Sequence, residues 1–66
     1  MANSEESRRT LARLTARNVE IAKLLERLRS GRPSGETRAR DSALQREFES
    51  NEEIIKRLTQ DMRDGA

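Results

Sequence analysis

The sequence contains no cysteine, histidine, tyrosine or tryptophan, and only one phenylalanine and one proline among 66 residues. Each shortage removes a class of function. Without cysteine there can be no disulfide framework, and without cysteine or histidine the common zinc sites lack their ligands. The side chains that most often serve as nucleophile or general base are missing too. Carboxylates remain, but Glu49, Glu52 and Glu53 fall in a helical charge run with no apolar pocket to shift a pKa. Gly31 and Gly35 flank a proline and are not followed by the Lys-Ser/Thr pair of a phosphate-cradling loop. No catalytic activity, metal, cofactor or small-molecule substrate is therefore expected. No apolar run approaches the ~20 residues of a membrane span. The polar, acidic start Met-Ala-Asn-Ser-Glu-Glu is unlike a signal peptide. The expectation is a soluble cytoplasmic protein with one domain over residues 1–66.

Charged residues make up 39% of the chain and aromatic residues 2%, a balance that on composition alone suggests disorder. The few apolar residues, however, are spaced rather than scattered. Leu11, Leu14, Ile21, Leu25 and Leu28 alternate at three and four residues, with Asn18 at the one polar step. Leu44, Phe48, Ile55, Leu58 and Met62 repeat the pattern, with Asn51 at the polar step. The two series mirror each other. Pairing them so that residue numbers add to 69 sets Leu11 against Leu58, Leu14 against Ile55, Asn18 against Asn51, Ile21 against Phe48 and Leu25 against Leu44. Each a position then faces a d position, as antiparallel helices require. The predicted fold is all-α: an antiparallel, coiled-coil-like hairpin with one helix over residues 4–29, a turn at 30–35 and a second helix over 36–63.

The ends of each helix carry matching signals. Asn3 can cap the first helix, with Glu6 three residues on and acids in the first turn. Gly31 suits a left-handed C′ position, and Arg27 and Arg29 suit the negative end of the helix dipole. Residues 31–35 hold the only proline and two of the three glycines, so the chain reverses there. One continuous helix is untenable, since it would carry Arg32, Gly35, Ala39, Ser42 and Arg46 along the buried stripe. Ser34 or Thr37 can cap the second helix, and Gly65 marks its stop.

Charge divides along the same line. Residues 1–30 carry +3, residues 31–40 carry +2 and residues 41–66 carry −3. A basic helix beside an acidic one favours the hairpin orientation, although exposed pairs contribute only a few tenths of a kcal/mol each.

A two-helix seam of ten apolar residues is a small core. Chains of this size normally add disulfides, a metal or a partner surface, and composition removes the first two. Two flanks are candidates for a partner. Leu24 and Ile54 are both g positions and extend one flank beyond the seam. On the other, Ala12, Thr15, Val19 and Ala22 form a strip of small residues that lets a helix approach closely. Packing through either flank predicts a dimeric four-helix bundle. Asn18 and Asn51, sharing one layer, are expected to specify register at some cost in stability.

Arg27, Arg29, Arg32, Arg38 and Arg40 gather around the turn, where they could hold phosphates or an acidic partner through bidentate contacts. The absence of interleaved aromatics weakens a single-strand stacking role. The sequence thus predicts a small protein–protein interaction module, an adaptor, assembly factor or inhibitor, acting as a homodimer or on a larger helical partner. The alternative is a nucleic-acid-associated regulator using the arginine-rich tip.

Overall fold

The computed structural model describes residues 4–64 of the chain. It is a hairpin of two packed α-helices, α1 (Ser4–Ser30) and α2 (Gly35–Asp64), joined by residues 31–34. The molecule measures 48 × 14 × 14 Å. That length matches the roughly 45 Å expected for a helix as long as α2. Each helix runs one residue further into the turn than the end signals suggest, and α2 continues to Asp64. The Asn3 cap and the Gly65 stop lie outside the described residues.

The α1 terminus departs from the left-handed glycine expected at Gly31. No glycine among the described residues has a positive φ. The last turn tightens instead: Gly31 N donates to Leu28 O at 3.4 Å, and Ser30 Oγ donates to Arg27 O at 3.0 Å. Pro33 holds the preceding residue away from helical geometry, so the chain leaves without a left-handed step. A β-carbon at Gly31 would meet Arg27 O and Leu28 O at an ordinary 3.8 Å, and one at Gly35 would meet open space.

Ser34 is the cap of α2. Its Oγ accepts from Thr37 N at 3.1 Å, and Thr37 Oγ1 accepts from Ser34 N at 3.0 Å. This is a reciprocal capping box with threonine in the place usually held by glutamate. Arg38 N then donates to Ser34 O at 3.0 Å and the helix proceeds.

The core occupies the middle of the hairpin. Ile21 is fully buried, Leu25 is buried beside it, and Asn18 and Asn51 complete the buried set among the described residues. Leu11, Leu14, Leu28, Leu44, Phe48, Ile55, Leu58 and Met62 are only half-buried. The cause is geometric: each helix covers one side of its neighbour's apolar stripe and leaves the edges of that stripe to solvent.

Candidate functional site

The asparagine layer lies at the centre of the seam. Asn51 Nδ2 donates to Asn18 Oδ1 at 2.9 Å, while Asn18 Nδ2 donates to the Phe48 carbonyl at 3.2 Å. The two amides therefore do not satisfy each other reciprocally. One bond joins them, and Asn18 spends its own donor on the backbone of the facing helix. No buried side-chain polar atom among the described residues is left without a partner.

Next to this layer, the flank of g positions carries an ion pair. Glu47 lies one helical turn before Asn51 and presents its carboxylate on this flank. Arg17 grips that carboxylate with two bonds, Nε to Oε2 at 2.8 Å and Nη2 to Oε1 at 3.1 Å. Its Nη1 reaches Glu20 Oε1 at 2.6 Å. The Arg17 bonds hold the Glu47 carboxyl below its ordinary pKa, and the bonds to Glu47 and then Glu20 raise that of Arg17.

This ion pair changes the reading of Leu24 and Ile54. Leu24 is half-buried and Ile54 is 39% exposed. In the register set by the asparagines they lie roughly 14 Å apart along the axis, taking 1.5 Å per residue. Arg17 and Glu47 stand between them. The g flank is thus two separated apolar spots on either side of a salt bridge, and not one continuous surface.

The opposite flank is open. Ala12, Thr15 and Ala22 are exposed, and Val19 is 52% exposed. Because Ala22 is small, a shallow groove of ≈ 560 Å³ opens beside it, floored by Leu25 and Phe48, edged by Gln45 and rimmed by Glu26 and Arg29. Phe48 is the largest apolar side chain reached from this side.

At the tip, the arginines divide into two kinds. Arg29 is engaged: Nε and Nη2 bind Asp41 at 2.8 and 3.1 Å, and Nη2 also donates to Gln45 Oε1 at 3.1 Å. The bond to Arg29 draws the Asp41 carboxyl below its ordinary pKa and raises that of Arg29. Arg27, Arg32, Arg38 and Arg40 are exposed and carry no salt bridge to any described residue.

The opposite charges of the two helices favour such pairs without naming their partners, and both clasps leave a trace in the sequence. Arg17 and Glu47 are oppositely charged residues at g positions, the same rule that singled out Leu24 and Ile54. Asp41 extends the second seam by one heptad upstream of Phe48, so a carboxylate sits on the apolar line within reach of an arginine across it. Among the described residues there is no group of three or more potential metal ligands, and no helix is long and apolar enough to cross a membrane.

No family model, no curated protein and no solved structure matches this chain.

Proposed function

We propose that the chain is a small non-catalytic interaction module, an adaptor, assembly factor or inhibitor, that works by laying a helical face against another helical surface. The observation that carries this reading is the unfinished core: most of the seam is half-buried, and Val19 stands 52% exposed beside a groove floored by Leu25 and Phe48. Apolar area left at the edge of a seam is the driving force for further packing. Self-association is its simplest form. Sedimentation equilibrium at tens to hundreds of micromolar should return twice the mass of one chain, and the thermal midpoint should rise with concentration. A single-chain mass with a concentration-independent midpoint over that range would overturn self-association.

The second reading, a nucleic-acid-associated regulator, draws support from the four unbridged tip arginines. Its outcome is distinct. Duplex DNA or RNA binding should weaken steeply as salt rises and disappear when Arg32, Arg38 and Arg40 become glutamine, whereas apolar docking persists in salt. No anisotropy change with either duplex at low salt eliminates this reading.

A further inference from the structure

The exposed side of α1 has an order that the small residues alone do not reveal. Its outward positions, at alternating three- and four-residue steps, are Glu5, Arg8, Ala12, Thr15, Val19, Ala22, Glu26 and Arg29. Turned end for end against itself, with residue numbers adding to 34, this face matches Glu5 with Arg29, Arg8 with Glu26, Ala12 with Ala22, and Thr15 with Val19. Every charge meets its opposite, and every small or apolar residue meets another. A two-fold axis repeats each match, giving four complementary charge pairs around an apolar centre.

Sliding the register by one heptad in either direction destroys the match. With numbers adding to 27, Glu5 falls on Ala22 and Arg8 on Val19; with 41, Arg29 falls on Ala12 and Glu26 on Thr15. The charges thus discriminate among registers that the small residues would tolerate equally.

From this complementarity we propose that a second copy of the chain covers this face, α1 lying antiparallel on the partner's α1 in the register that adds to 34. This rests on the interaction-module reading and names its partner and geometry. The side chains needed are available. Arg8 and Glu26 are exposed and have no salt bridge to any described residue, and Glu5 is held only loosely by Arg9 at 3.6 Å, both side chains being at least 80% exposed. Arg29 binds Asp41 and Gln45 through Nε and Nη2, which leaves the donors of Nη1 for a carboxylate arriving from outside. The groove fits the same arrangement. It lies level with α1 residues 22–29, where the second copy would place the stretch around Arg8. The aliphatic stem of that arginine lies over Leu25 and Phe48 while its head meets Glu26 on the rim. Contact from Glu5 to Arg29 runs roughly 36 Å, most of the length of the helix. An α1-on-α2 stacking would instead set the Ala12–Ala22 strip against Glu49 and Glu52, burying carboxylates on an apolar strip.

The test exchanges the charges between chains. A chain with Arg8→Glu carries glutamate at both of its outward positions of that pair, and a chain with Glu26→Arg carries arginine at both. Each alone should dimerise roughly tenfold or more weakly at low salt, since two attractive pairs become repulsive. Mixed in equal amounts they should form a one-to-one heterodimer as tight as the unaltered dimer. Cysteine pairs give a second readout at exposed positions: a Thr15→Cys chain mixed with a Val19→Cys chain should form the mixed disulfide in preference to either self-disulfide. Recovery on mixing together with the mixed disulfide supports the proposal. Dimers that ignore both changes, or that cross-link a Leu24→Cys chain to an Ile54→Cys chain instead, overturn this face and leave the interaction module standing. An unaltered protein that is a single chain throughout overturns the self-dimer and leaves docking on a different helical partner standing.

Discussion

Replacing Ile21 by alanine should cost about 3 kcal/mol. Ile21 is the one fully buried side chain among the described residues, packed between the helices in the layer of Phe48 and one turn from Asn18. Removing three carbons there gives up their transfer from water and leaves a void between two long helices that cannot close without splaying the neighbouring layers. The loss is large on the scale of the whole molecule, because a chain of this size has on the order of 5 kcal/mol of net stability. Urea unfolding followed by helical circular dichroism, at fixed protein concentration, should show a mostly unfolded chain or a midpoint shifted to very low denaturant. Leu11→Ala, at a half-buried position near the open end, should lose less than half as much. Similar midpoints for the two variants would show that burial is spread evenly along the seam and that the central layer has no special weight.

The second large effect is cooperative and belongs to the asparagines. Asn18→Leu removes the one acceptor found for Asn51 Nδ2 among the described residues and leaves that donor without its bond. Asn51→Leu removes the only donor found for Asn18 Oδ1 and strands that oxygen in a buried layer. A buried group left unpaired costs ~1–3 kcal/mol, which cancels much of the gain from the new leucine. Each single change should therefore gain little, since each strands one partner of the same bond. Changing both removes every orphan, so the double variant should be more stable than the sum of the singles by ~1 kcal/mol or more. It should also populate other registers and larger assemblies, since no polar layer penalises them. A double-mutant cycle that closes additively within ~0.3 kcal/mol would mean that the two amides are independent in solution, as in a parallel zipper where each would meet its own copy.

The hairpin was legible because its two seams are complementary in more than period. A three-four repeat alone predicts a helix. A single polar step placed at mirror-related positions in both repeats predicts which way they pair, and the bond between Asn18 and Asn51 follows from that register. What the repeat could not supply was the direction of each hydrogen bond. Whether Asn18 turns its amide to Asn51 or to the Phe48 carbonyl depends on a rotation about one side-chain bond, which no spacing rule encodes. Gly31 illustrates a different limit. A glycine after a helix suggests a left-handed step, but a proline two residues later already diverts the chain, so the freedom of glycine went unused. The flank of Leu24 and Ile54 shows a third limit, since heptad position alone does not say what lies between two residues. Two apolar residues at matching heptad positions make a surface only when nothing polar stands between them, and Arg17 with Glu47 does.

The Arg29–Asp41 clasp has a consequence for how the hairpin is reached. It joins residues 12 apart in the chain, whereas Arg17 and Glu47 are 30 apart. Closing the longer loop directly costs ~0.8 kcal/mol more in chain entropy. The shortest route therefore starts beside the capped turn and draws the helices together towards the open end, each layer shortening the loop left for the next. Substitutions near Asp41 and Leu28 then act mainly on the rate of folding, and those near Leu11 and Leu58 mainly on the rate of unfolding. The same hairpin is slow to form if its tip is weakened and quick to fray if its far end is.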